Sequence, residues 1–135
     1  MFRSTRLMFA GFGLAAVASM AMAQQVEPER AHNLRNGHMH LLGLNIGVLG
    51  AMAKGEQEYD ADAAAAAAAN IAALASIDQR LYWPEGSSSE DLEDSRALPA
   101  IWENMDDFTA QNEDLHEAAM TMEGAAGTDL ASLQG

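Results

Sequence analysis

The chain has 135 residues, 49% of them hydrophobic, with 20 acidic against 7 basic side chains and a formal net charge of −13. Nucleic acid and anionic membrane surfaces are excluded as partners, because both would repel such a surface. With no cysteine, no disulfide staples the fold, which must rely on packing or on a bound group.

Residues 1–23 read as a secretory signal. Arg3 and Arg6 form the positive region, Leu7 to Ala18 the apolar core, and Ala21-Met22-Ala23 an A-x-A cleavage site before Gln24. The apolar run is too short to span a bilayer and no second one follows, which predicts export without a membrane anchor. Cleavage leaves one small domain, residues 24–135, with five basic and all twenty acidic residues, a formal charge of −15.

The first periodic segment runs from about Arg30 to Ala53. Arg35, Met39, Leu42, Ile46, Leu49 and Ala53 recur at steps of four and three, which predicts one buried helix seam. Gly43, Gly47 and Gly50 weaken that helix but would let a backbone or a flat ligand approach. A second helix is predicted from Asp60 or Asp62, through the alanine run 63–69, to about Arg80, with Ile71, Leu74, Ile77 and Leu81 as its larger apolar groups. The run itself carries little packing specificity. Pro84 and the acidic, serine-rich stretch 85–95 then read as a surface loop.

The third helix is predicted from Pro99, whose missing N–H costs nothing in a first turn. Ile101, Met105, Phe108, Asn112, Leu115, Ala119, Met122 and Ala126 form its seam. Gly127 is a stop and Thr128 a predicted N-cap for a short last helix, Asp129–Gly135. The expected fold is all-α: an up-down-up-down four-helix bundle whose fourth helix is mostly missing from this chain. Three helices alone leave the face meant for the fourth wet, which predicts weak cooperativity and self-association.

Among the chemistry-bearing residues, Arg35 and Met39 share a seam. An arginine on a core stripe wants an anionic partner, and Met39 stands one turn on, on the same face. On the residues alone, Arg35 also suits snorkelling from a helix end and Met39 suits plain core packing. His38 and His40 lie two residues apart, about 200° around a helix, so they cannot chelate together and His32 does not complete a set. They read as ordinary, partly exposed side chains, and Trp83, Trp102 and Phe108 read as core packing.

The stretches LGLNIGVLGAMAKGE (42–56), with RxxxM just before it, and PAIWENMDDF (99–108), with Tyr59 and Trp83-Pro84 between them, resemble class II c-type cytochromes, the cytochrome c-prime family. That resemblance implies a periplasmic monohaem c-type cytochrome that transfers single electrons or binds small diatomic gases. It implies haem c and iron, redox partner proteins, a homodimer, no catalytic residue and no enzymatic activity. By the same resemblance, Arg35 lies beside a haem propionate, Asn36 is a haem-edge neighbour, Arg96 is a further propionate candidate, and Met39 covers the distal face as a candidate iron ligand. The family's Cys-x-x-Cys-His motif, which supplies two thioether bonds and the proximal histidine, has no counterpart here, so the chain is expected to be a truncated copy. A non-covalent haem held by Met39 and His116 would place its proximal ligand on the wrong helix for the family. The rival readings are a cofactor-free helical remnant and a copper or zinc carrier.

Overall fold

A computed structural model describes residues 26–135; the expected signal sequence at 1–23 lies outside the described residues. Their regular structure is all helix, with no strand among them. Helix α1, Pro28–Ala53, starts on a proline, where the fixed φ suits a first turn. It gives way to Gly55 at φ 72°, a left-handed position that favours glycine.

The buried face of α1 is Ala31, Arg35, His38, Leu42, Asn45, Leu49 and Met52. Arg35, Leu42 and Leu49 match the predicted seam; Met39, Ile46 and Ala53 do not. The true stripe takes their preceding neighbours, and Met39 and Ile46 are 62% and 52% exposed. Buried Asn45 is satisfied, donating to the Leu41 carbonyl at 2.8 Å and accepting from Asn70 of the next helix at 3.0 Å.

Helix α2, Ala61–Ala75, is capped by the Asp60 carboxylate, which accepts from Ala63 N at 2.8 Å. Its alanines are not filler. Ala64, Ala67, Ala68, Ala72 and Ala75 are buried with Ile71 and form much of the core. The helix stops five residues before the predicted Arg80. Asp78 accepts from both the backbone N–H and the guanidinium of Arg80, curling the chain into a 3-10 turn, Arg80–Tyr82. Leu81 is consequently exposed. The Arg80 hydrogen bonds hold the Asp78 carboxyl at about 2, below its usual range.

The predicted third helix is two. Helices α3, Ala100–Glu103, and α4, Met105–Ala126, are separated by Asn104 at φ −133°, ψ 49°. Its side chain donates to the Ala100 carbonyl at 3.1 Å, the local competition that makes asparagine poor inside helices. Helix α5, Leu130–Gln134, is capped by Asp129, one residue after the expected Thr128.

Helix α2 packs against both α1 and α4, and α5 joins the ends of α4 and α1. Gln134 donates to the Ala53 carbonyl at 2.7 Å and Tyr59 to the Ala126 carbonyl at 2.9 Å. Where α4 ends against α2, a Cβ on Gly127 would sit 2.8 Å from the Ala65 Cβ, so only glycine fits without movement. The core therefore lies around α2, leaving a groove on the α1–α4 side.

Candidate functional site

That groove is a cavity of about 620 Å³, within the ~300–1,000 Å³ usual for small-molecule sites. Met39, Leu42 and Ile46 of α1 face Phe108 and Leu115 of α4, with Trp83 closing one end. Gly43 also lines it, and no protein atom comes within 4 Å of where its Cβ would be. The polar groups include Arg35, Asn36 and Arg96. No aspartate or glutamate lines this cavity, although the chain carries twenty. Two arginines without a carboxylate favour an anionic ligand.

The four residues singled out from sequence thus converge on one cavity. Met39 presents its thioether side chain to it, and Asn36 pairs with His32 at 3.0 Å. Arg96 stands exposed at the rim. Arg35 is 6% exposed and already engaged. Its guanidinium donates to the Tyr82 carbonyl at 2.6 Å, the Ser87 hydroxyl at 2.9 Å and the Ser87 carbonyl at 2.8 Å. Burial lowers its pKa from the ordinary value, yet arginine remains charged.

Trp83 is the hub of the wall. Arg35 lies 4.5 Å above its ring, Phe108 meets it edge-on at 4.6 Å and Trp102 at 5.7 Å. Trp102 Nε1 donates to the Trp83 carbonyl at 3.1 Å, whereas Trp83 Nε1 is buried with no partner. Trp102 is half-buried against Trp83 and outside the main core, and Trp83 and Phe108 are cavity wall. The supposed surface loop is partly interior too. Ser87, Ser88 and Ser95 are buried, which a serine-rich acidic run does not announce.

The histidines separate. Met39 and His116 line different cavities, divided by Trp83, Phe108 and Asn112, so they form no common ligand pair. Among the described residues, no group of three or more His, Asp or Glu is placed to hold a metal ion. His40 is exposed, as expected, but His38 is only 7% exposed and its Nε2 has no partner.

Burial lowers the His38 pKa, so below the ordinary value of ~6.5 the unfolded chain takes up the proton first. Its contribution to stability is present above that pH and falls as pH drops through ~6.5 towards the folded value. Urea midpoints at pH 7.5 and 5.5 should therefore fall further apart in the wild type than in His38→Gln. Equal differences in the two proteins would show that His38 is not the group responsible.

Residues 30–135 match the cytochrome C' family. The chain belongs to the cytochrome c' family. It is 51% identical over 113 residues to cytochrome c-554 of Cereibacter sphaeroides, spanning 84% of each chain. With a cytochrome c' of the same species it shares 38% over 120 residues, 89% of this chain and 79% of the relative. A solved cytochrome c' of Rhodobacter sphaeroides superposes with a TM-score of 0.77 at 36% identity, over 81% of this chain and 84% of that one. The cytochrome c' of Thermochromatium tepidum gives 0.71 at 26% identity, over 82% and 84%. The architecture is accordingly the four-helix bundle of cytochromes c'.

Cytochromes c' are haem-binding c-type electron carriers, and haem c is the implied cofactor. The cavity suits such a group: aromatic and aliphatic walls, a thioether, and two cations unaccompanied by acid. The covalent half of the chemistry is not furnished, because none of the 135 residues is a cysteine.

Proposed function

We propose that this cytochrome c' family member is a periplasmic monohaem electron carrier, exported by a cleaved signal at residues 1–23 and lacking enzymatic activity. The observation that carries the site is the carboxylate-free, two-arginine cavity between α1 and α4. A bound haem supplies a one-electron iron couple. Leu42, Ile46, Trp83, Phe108 and Leu115 would shield such a group from water, Met39 would be a candidate iron ligand, and Asn36, Arg35 and Arg96 make up the side that would take its carboxylates. Bound iron would also take small diatomic gases, with Met39 controlling access to it. A homodimer and acidic-surface docking to basic redox partners complete the reading, since a field of this sign steers cationic proteins. No helix among the described residues is long and apolar enough to cross a membrane.

The test is absorption spectroscopy of the chain exported with haem available. A Soret band that is extracted by acidic acetone supports haem held without thioethers; a band that resists extraction contradicts the cysteine-free chemistry. Colourless folded protein favours the cofactor-free remnant.

A change at the cation end reads the same site. Asn36→Asp alters one atom of shape and adds a charge. At this exposed position it repels a ligand carboxylate by about 1 kcal/mol, or about fivefold in affinity. Haemin titration should show that loss, shrinking in high salt, with the thermal midpoint little changed. An undiminished affinity would place the carboxylates elsewhere.

A further inference from the structure

The Arg35 guanidinium has five N–H donors, and three are committed to the connection between α2 and α3. Its flat face is committed as well, to Trp83. The acceptor it holds is no ordinary loop residue. Ser87 is fully buried. Its carbonyl accepts from Arg35 and from the Ser95 hydroxyl at 3.0 Å, and its own hydroxyl donates to the Pro84 carbonyl at 2.8 Å. Ser89 N closes the same loop on the Ala97 carbonyl at 2.8 Å.

Every one of these bonds bears on the cavity. Trp83 lies just before the Pro84–Ser87 bond, and Ser95, Arg96 and Ala97 are consecutive lining residues. Arg96, in contrast to Arg35, is exposed and makes no salt bridge among the described residues. One arginine is spent inside the protein and the other is available.

We infer that Arg35 is a positioning residue: through Ser87 and Ser95 it holds the 83–97 connection so that Trp83 forms the wall and Arg96 meets the ligand's carboxylate. This division of labour rests on the haem reading above. Lysine cannot replace the clasp, because a single ammonium lacks the planar fork that reaches the Tyr82 and Ser87 acceptors together.

The test uses the full chain titrated with ferric protoporphyrin IX and with its dimethyl ester, followed by Soret absorbance and tryptophan quenching. Amide hydrogen exchange of residues 83–97 is measured without ligand. Arg96→Gln should weaken binding of the free acid about tenfold, leave the ester unaffected and leave exchange unchanged. Arg35→Lys should accelerate exchange across 83–97 and weaken both porphyrins alike. Ser87→Ala, a milder change, should do the same to a smaller degree, and decides the matter if Arg35→Lys loses its helical circular dichroism.

Weakening confined to the free acid in Arg35→Lys, with exchange at the wild-type rate, would overturn the inference and make Arg35 the direct carboxylate contact. Wild-type protein that binds neither porphyrin would overturn the Arg96 half together with the haem reading. The exchange measurement would still decide the clasp.

Discussion

Trp83→Ala should lower the free energy of unfolding by about 2–3 kcal/mol, below the usual cost of emptying a fully buried aromatic site because the ring is half-buried, and abolish porphyrin binding. Three attachments go at once. The ring is the surface beneath Arg35 and the meeting point of Trp102 and Phe108, and an edge-on aromatic pair is worth about 0.5–1.5 kcal/mol beyond its buried area. The ring also belongs to both cavities, so its loss merges them and lets water into the α1–α4 cavity. Chemical denaturation with parallel haemin titration checks both parts. A loss below about 1 kcal/mol would mean that Arg35 and Phe108 close over the gap, which the close packing of protein interiors opposes.

Met52→Ala should cost about 2–5 kcal/mol and leave porphyrin affinity nearly unchanged. Met52 is fully buried at the C-terminal end of α1. Its core cluster includes Ala64, Ala67, Ala68 and Ala126, side chains too short to reach into a vacated volume. Filling the void would require whole helices to move, so most of the cavity penalty should remain. Met52 does not line the α1–α4 cavity. The pair of variants therefore separates stability from binding: both proteins are weakened, and only Trp83→Ala loses the ligand. Equal loss of binding would mean that the α1–α2 core and the cavity melt as one unit.

The helical class was legible in the sequence, and so were four residues that line one cavity, but not the burial of α1. Two stripes share Arg35, Arg35/Met39/Ile46 and Arg35/His38/Asn45; a first step of four or of three suits a helix equally, and hydrophobicity favours the first. It is the wrong one for the protein core. The groove puts hydrophobic residues on an exposed face of α1, so Met39 and Ile46 look like core while His38 and Asn45 occupy it. The second failure has the opposite cause. Ser87 and Ser95 lie in a polar run and are buried for the sake of one distant guanidinium, a contact 52 residues away in sequence. Periodicity is blind to that. The break at Asn104 depends on which side-chain bond wins locally, and the chain around it is otherwise a good helix.

The absence of carboxylates from one cavity in an acidic protein has a kinetic consequence. At long range the net charge of −13 repels an incoming dianion, and the two arginines are felt only near the groove. Ionic strength acts unequally on these two fields. Raising salt from about 0.01 M to 0.15 M shortens the Debye length from ~30 Å to ~8 Å. That mutes the distant repulsion and largely spares the attraction at contact. Capture of an anionic porphyrin should thus quicken with salt while its escape quickens less, the reverse of the behaviour expected of a basic protein steering the same molecule. The exterior acts as a barrier to stray anions, and the groove as a short-range sink behind it.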